Sequence, residues 1–337
     1  MHELVTIAIP ALAVALAHFV WQGALLGLLT LALVRALPRA RPQTRYAMYC
    51  IALLACAGLP VLNFAAVLVE LGTAAIPQVD HTRRASSSAT MASTALTWTG
   101  PLADSLCRTI VAIWAVGASI LLMRLALGLG WIRRLRQTPQ STQQPIWQGR
   151  LDQLTARFGL NRQVALRVVD GLASPFCAGW LRPVVFVPAA LLTRMTPALI
   201  EALLAHELAH IRRHDFLVNG IQAVLEALLF YHPVIWWLSG QIRQEREQIA
   251  DLMAAERTGT PRLLARALAE LSEFQAIYVP NTLAQAAGGA NVMTRIKRLV
   301  QPDHRHAHVC VWAQLGTLLL FGLLAIAVAK FASGLAA

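Results

Sequence analysis

Charged side chains are scarce in this sequence. Only 14% of its 337 residues are charged, 57% are hydrophobic, and the mean hydropathy is +0.55. Soluble globular domains carry about 25% charged residues. The deficit argues against an ordinary soluble domain and indicates a membrane protein.

Cysteine pairs and internal repeats are also missing. The five cysteines form no CxxC pair and suggest no disulfide framework.

Acidic residues are outnumbered by basic residues, 17 to 29, which gives a formal charge of +12. Because the basic residues lie beside apolar segments rather than with aromatic platforms, we interpret them as membrane-topology signals and not as a surface that binds nucleic acid directly.

Long apolar stretches are abundant by contrast. A helix needs about 20 apolar residues to cross a bilayer, and four stretches meet this requirement: residues 4–34, 46–69, 109–131 and 309–329. Arginines follow the first and third stretches, which places those connections in the cytoplasm by the positive-inside rule. Both termini are then expected outside, with residues 70–108 as an outer loop.

The predicted fold is an α-helical integral membrane protein with four transmembrane helices and a cytoplasmic α+β domain. Residues 1–131 form the membrane region, residues 132–308 the cytoplasmic domain, and residues 309–337 the fourth transmembrane helix with a short outer tail. In the cytoplasmic domain, valine-rich runs at 164–169 and 184–187 predict strands. The second of these is interpreted either as purely structural or as an edge strand that pairs with an extended substrate.

Turn residues predict two helical features of this domain. Thr196 and Pro197 supply an N-cap and a first-turn proline, so a helix is predicted from Pro197 to about His214. Residues 216–238 are apolar but have arginines on both sides, and a single span would put one of these basic clusters outside. We therefore predict a membrane-associated helical hairpin on the cytoplasmic face, in preference to a fifth span.

The motif His-Glu-Leu-Ala-His occupies residues 206–210 of the predicted helix. Side chains four residues apart share one helix face, so His206 and His210 can offer both imidazoles to one zinc ion. Glu207 would then lie beside the open coordination position, where it can take a proton from the attacking water. The alternative is a solvated helix, which the apolar neighbours disfavour because unpaired polar groups are costly there.

The third zinc ligand must come from another part of the chain. His214 lies about 12 Å along the helix axis from His206, too far to join the same ion. Two glutamates remain, Glu226 and Glu247. We favour Glu247 because Asp251, one helical turn later, can accept the free N–H of a ligating histidine. Glu226 has no such partner at that spacing, and it lies in the hairpin arm that leads away from the zinc helix.

Several other polar residues allow two interpretations. Tyr231 and His232 are candidates for stabilising the oxyanion of the transition state, but an interfacial aromatic residue and a helix N-cap explain them equally well. His18, Trp21 and Gln22 share one face of the first apolar helix. They are expected either to line the protease or a signalling contact, or to pack neighbouring helices through hydrogen bonds.

The run from His206 to Asp251, HELAHIRRHDFLVNGIQAVLEALLFYHPVIWWLSGQIRQEREQIAD, resembles the signature region of the BlaR/MecR-type membrane metallopeptidases, family fifty-six of the metallopeptidases. Weaker similarity extends to HFVWQG at 18–23, GWLRP at 179–183 and RIKRL at 295–299. The resemblance implies a gluzincin-like zincin domain with Glu247 as third ligand, and cleavage of cytoplasmic repressors or related targets after an outside signal.

The sequence departs from this family in two respects. Some members carry a C-terminal β-lactam sensor domain after the fourth span, and we expect none here, since the sequence stops at Ala337. The family's frequent cysteine before the aspartate is replaced by Ala250. Because of the first departure, we do not expect this chain to sense antibiotics. The second departure is expected to change the site little.

The resulting functional hypothesis is a zinc-dependent endopeptidase of the bacterial inner membrane. Its expected partners are a protein substrate, such as a transcriptional repressor, and the lipid bilayer, with a homodimer left open. The alternative is a non-catalytic membrane signal transducer with a structural zinc site. Glu207 disfavours that alternative because a structural site closes its fourth coordination position and needs no general base. A metal transporter would need more ionisable groups within its spans.

Overall fold

The computed structural model describes residues 2–38, 40–74, 101–137, 144–278 and 283–301. These residues are mostly helical and form two compact units. The first unit contains the chain up to Met123 together with Leu225–Gln241. The second contains Arg124–Val224 and the described residues from Ile242 to Gln301.

Three long apolar helices begin the chain: α1 at His2–Ala36, α2 at Pro42–Ala74 and α3 at Pro101–Gln137. Each contains a candidate membrane span, namely Ala8–Ala36, Pro42–Val69 and Ala103–Gln137. They correspond to the first three predicted transmembrane helices, although each helix extends beyond its apolar stretch. The predicted fourth helix at 309–329 and most of the predicted outer loop lie outside the described residues.

One polar pair joins α1 and α2. Asn63 donates to Gln22 over 2.7 Å, and both side chains are buried. His18 and Trp21 are exposed instead. The three polar residues of α1 therefore do not act as one buried face. Gln22 makes the interhelical hydrogen bond that one of the two interpretations predicted, since a polar group in an apolar bundle is stabilised by a polar partner.

The remaining elements surround a small sheet and a central helix. The strands are β1 at Ala165–Val169, β2 at Phe176–Ala178 and β3 at Val184–Pro188. The helices are α4 at Pro145–Arg157, α5 at Ala189–Arg194, α6 at Pro197–Arg212, α7 at Asp215–Leu228, α8 at Pro233–Thr258, α9 at Pro261–Tyr278 and α10 at Leu283–Val300. The second unit is thus a helical domain with a three-stranded sheet.

The sheet has the order β1-β3-β2. β3 runs parallel to β1, with Ala165 opposite Val184, and antiparallel to β2, with Phe176 opposite Phe186. Of the two interpretations of 184–187, the edge strand is therefore wrong, because β3 is central and all five of its residues are buried. β2 has only three residues, too few to show an alternating pattern in the sequence.

Helix α6 lies in the core of the second unit. Eleven of its sixteen residues are buried, and its apolar side chains join one hydrophobic cluster with residues of α4, β1, β3 and α9. Thr196 precedes Pro197 as predicted, but its hydroxyl makes no capping hydrogen bond. The helix ends two residues before the predicted end, because His214 adopts a left-handed conformation with φ of 58° and turns the chain into α7.

The apolar segment 216–238 forms two helices, α7 and the start of α8, joined by a turn at residues 229–232. The part from Leu225 to Gln241 belongs to the first unit, where it packs with the apolar helices. Close approach to α1 requires glycine, since a Cβ atom at Gly23 would lie 2.8 Å from His232 Nε2 and one at Gly27 2.7 Å from Val234. The segment thus consists of two helices joined by a turn, and its part from Leu225 onward packs against α1.

Candidate metal centre

Two histidines of α6 face each other across one helical turn. The Nε2 atoms of His206 and His210 lie 3.1 Å apart, and the two rings are almost perpendicular. Both side chains are largely buried, with exposed fractions of 7% and 12%. The neighbouring Leu208 and Ala209 are fully buried in the apolar core. Core packing of the helix therefore fixes the positions of both imidazoles.

Helix α8 brings a carboxylate to the same point. Glu247 Oε2 lies 3.4 Å from His206 Nε2, and Oε1 lies 3.8 Å from His210 Nε2. Ligand atoms at about 2.0–2.1 Å from a tetrahedral zinc ion are about 3.3 Å apart. The three side chains therefore fit one ion, and they form the group of potential metal ligands that the described residues bring within 4.8 Å of one another.

Carboxylates hold the outer nitrogen of each histidine. Asp215 Oδ2 lies 2.8 Å from His210 Nδ1. Asp251 Oδ1 lies 3.0 Å from His206 Nδ1, although the pair is not aligned as a straight hydrogen bond. A proton on Nδ1, shared with a carboxylate, leaves the lone pair of Nε2 free for a metal ion. Both imidazoles are thus oriented with Nε2 toward Glu247.

Arg295 of α10 completes this cluster. Its Nε and Nη2 atoms both donate to Asp251 over 2.7 Å, and Nη1 lies 3.5 Å from Glu247 Oε2. Such a bidentate contact fixes the orientation of a carboxylate. Burial raises the pKa of Asp251, but Arg295 and His206 outweigh burial and lower it. The carboxylate that faces His206 is therefore kept ionised in one orientation.

The charges around the histidines create a place for a cation. Burial alone lowers the pKa of His206, but the adjacent carboxylates of Asp251 and Glu247 outweigh burial and raise the pKa to about 10. Burial raises the pKa of Glu247, yet His206, His210 and Arg295 hold it below its usual range. A proton therefore binds His206 strongly in this cluster. A divalent cation would replace that proton and would be stabilised by the same carboxylates.

Glu207 lies beside the ligand cluster on α6 and is buried. The thiol of Cys177, on β2, is within hydrogen-bond reach of its carboxylate. Burial raises the pKa of Cys177, and the nearby charges of Glu207 and Asp215 raise it further. Cys177 is therefore a neutral thiol close to Glu207, and it brings β2 next to this carboxylate.

The structure does not bring every predicted site residue to the cluster. Tyr231 donates to the carbonyl of Leu16 over 3.2 Å, and His232 Nε2 lies 2.9 Å from the carbonyl of Val20. His232 Nδ1 also accepts from the backbone of Val234, at the start of α8. These contacts lie in the first unit, and they match the N-cap interpretation of His232 rather than contact with an oxyanion.

A family model described as BlaR1 peptidase M56 matches residues 14–299 of the chain. The matched region includes most of the first candidate span, the other two spans, the sheet and every residue of the metal cluster. The chain belongs to the BlaR1 peptidase M56 family. The resemblance of the run from His206 to Asp251 is thereby confirmed. The chain is a membrane protein of a metallopeptidase family, and the part that the structure describes contains three apolar helices long enough to cross a bilayer.

Several known proteins are similar to parts of this chain. Regulatory protein BlaR1 of Bacillus licheniformis is 22% identical over 140 residues, which cover 42% of this chain and 23% of that protein. A Protease HtpX homolog of Sulfurovum sp. (strain NBC37-1) is 27% identical over 168 residues, which cover 41% of this chain and 61% of the relative. The Methicillin resistance mecR1 protein of Staphylococcus aureus is 20% identical over 147 residues, 42% of this chain and 25% of that protein. The chain therefore matches only part of each relative's length.

Asp215 and Arg295 were not predicted as site residues. Asp215 lies five residues after His210 in sequence, but only the left-handed turn at His214 carries it back to the imidazole. Arg295 lies within the RIKRL segment of weak family similarity, which was the one available signal. No helical spacing links it to Asp251, because the two residues belong to different helices.

Removing the Asp215 carboxylate should weaken metal binding. We expect Asp215→Ala to lower zinc affinity about 10- to 100-fold, the usual effect of losing a carboxylate that orients a histidine ligand. Competition with a chromophoric chelator measures the change. Asp152→Ala is the matched control, since Asp152 contacts only Gln148 at the surface of α4. Unchanged zinc affinity in a folded Asp215→Ala protein would contradict the role assigned to this carboxylate.

Proposed function

We propose that this M56 family member is a membrane-bound zinc-dependent endopeptidase that cleaves a cytoplasmic or juxtamembrane regulatory protein, such as a transcriptional repressor. The observation that carries the proposal is the convergence of His206, His210 and Glu247, with Glu207 beside them on the same helix. Residues 132–308 would form the gluzincin-like domain in the cytoplasm. Residues 309–329 would supply a fourth transmembrane helix.

Each residue of the cluster has a separate role in hydrolysis. His206, His210 and Glu247 would hold zinc. When bound, zinc would polarise the scissile carbonyl and lower the pKa of the attacking water. Glu207 takes a proton from that water and returns it to the leaving amine. Asp251 and Asp215 hold the histidine rings in place, so the geometry is set before the substrate arrives.

We assign substrate alignment to β2 instead of β3. β2 is an edge strand of the sheet, and Cys177 places it next to Glu207. An extended peptide that adds to a sheet edge gains main-chain hydrogen bonds. Peptide addition along β2 would place a scissile bond near the general base. Substrate pairing is therefore assigned to β2, a strand that the sequence did not predict, and not to β3.

The cytoplasmic location makes a topological prediction. Reporter fusions after Gln137 and Gly259 should both report the cytoplasm, and a fusion at Ser87 should report the outside. The physical reason is the arginines that follow the first and third apolar stretches and flank both ends of 216–238. Alkaline phosphatase and fluorescent-protein fusions provide the two complementary readouts. An outside signal at Gly259 would require a fifth span and would contradict this topology.

The substrate class can be tested in cells. Proteomes and protein N-termini are compared between cells that contain the unsubstituted protein and cells that contain Glu207→Gln. We expect at least one cytoplasmic or membrane-adjacent regulator to remain uncleaved only with Glu207→Gln. If the only affected proteins are secreted ones cleaved on the outer side, the proposed substrate class is wrong.

A further inference from the structure

The turn between β2 and β3, residues 179–183, exposes two large apolar side chains at its tip. Trp180 is 48% exposed and Leu181 is 77% exposed. Arg182, which follows them, is also exposed. Isolated exposed apolar residues are ordinary, but adjacent ones at a protruding tip indicate a contact surface.

The turn is attached to the end of α3. Arg136 donates to the carbonyls of both Ala178 and Arg182, on either side of the turn. Gly179 has a φ of 96°, and a Cβ atom there would collide with the Arg136 guanidinium. Two rings, those of Trp131 and Phe176, stack with centroids 6.1 Å apart. The turn is thus held in a defined position against the last turns of this helix.

That end of α3 has the features of a membrane boundary. The helix contains the candidate span Ala103–Gln137. Leu127 near its end is 67% exposed, as expected for a side chain that faces lipid, and the half-exposed Trp131 and the exposed Arg133 and Arg134 follow. Tryptophan followed by arginines is typical of the level where hydrocarbon meets headgroups. Because Arg136 bonds the turn directly, the turn lies at this same level.

We propose that the 179–183 turn inserts Trp180 and Leu181 into the headgroup region of the bilayer, and that Arg182 binds anionic headgroups together with Arg133 and Arg134. Tryptophan combines an apolar ring with a polar N–H, which suits the interface. Basic side chains next to it gain attraction from an anionic leaflet. The insertion would hold the sheet at a fixed depth, including β2. It does not depend on the proposed peptidase activity.

Site-directed spin labelling of the full chain in vesicles tests this directly. A nitroxide is attached at Leu181→Cys, and its accessibility to oxygen and to a water-soluble nickel chelate is compared. Ile146→Cys is the matched control, because Ile146 is 74% exposed in the same unit. Unsubstituted protein, treated identically, measures background labelling of the native cysteines. In vesicles of phosphatidylcholine and phosphatidylglycerol, the label at 181 should favour oxygen severalfold over the label at 146.

Two results would overturn the insertion. A label at 181 that is as accessible to nickel as the label at 146 would place the tip in water. An immobile label shielded from both reagents would indicate contact with protein, such as a second copy of the chain or a substrate. The role of the arginines has its own test, since Arg182→Gln should reduce the difference between vesicles with and without phosphatidylglycerol. If the label at 181 is equally accessible in both vesicle types while Arg182 is intact, that role is refuted.

Discussion

Glu207→Gln is expected to lower peptide-bond hydrolysis by about 10²- to 10⁴-fold, the usual contribution of a general base, while zinc remains bound. Glutamine keeps the size of the side chain but cannot accept the proton of the attacking water. Glu207 is not part of the group formed by His206, His210 and Glu247. The metal should therefore stay in place when the base is lost.

The measurement pairs proteolysis with zinc content in the same preparation. Glu201→Gln is the matched control, since Glu201 lies on the same helix and binds Arg150 at the edge of the domain. This control should keep both activity and zinc. Full activity in Glu207→Gln would refute the proposed mechanism. Bound zinc without proteolysis in the unsubstituted protein would instead favour the non-catalytic signal transducer.

Glu247→Ala is expected to weaken zinc binding more than about 100-fold. Loss of a residue that only orients a metal ligand usually weakens metal binding about 10- to 100-fold, and loss of a ligand itself should cost more. Loss of Glu247 removes one of three protein ligands. It also removes a carboxylate that lies close to His206 and Arg295. Because the metal is then held by two histidines alone, both zinc content and proteolysis should fall together.

Two further substitutions separate Glu247 from other carboxylates. Glu256→Ala is the control on the same helix, where Glu256 is exposed. Glu226→Ala tests the other candidate ligand, which belongs to the first unit and not to the His206 cluster. Both variants should bind zinc like the unsubstituted protein. If Glu226→Ala releases the metal while a folded Glu247→Ala protein retains it, the ligand assignment is wrong.

The fold was predictable where it depends on long, regular patterns. Three apolar helices, the strands β1 and β3, and helix α6 all overlap their predicted positions. Their signals are apolar length, valine-rich runs and proline at a first helical position. β2 escaped prediction because a three-residue strand has no periodicity of its own. Its pairing with β3 is decided by the sheet as a whole, which also makes β3 central.

The surroundings of Tyr231 and His232 could not be predicted from the sequence. Tyr231 and His232 were candidates for transition-state contacts because of their chemistry alone. In the structure their polar atoms are bonded to carbonyls of Leu16 and Val20. Those partners lie more than two hundred positions earlier in the chain, so spacing in the sequence carries no trace of them. The chemistry of a side chain could suggest a role but not its surroundings.

By itself, the sequence determined the apolar helices, the family, and the shared helix face of His206 and His210, since each depends on composition or on spacing within one segment. Only the tertiary structure decided which groups support these histidines. Asp215 reaches His210 through a left-handed turn at His214, and Arg295 reaches Asp251 from another helix. Such contacts depend on how the chain returns to itself, and that path is set by the packing of whole helices rather than by any local pattern.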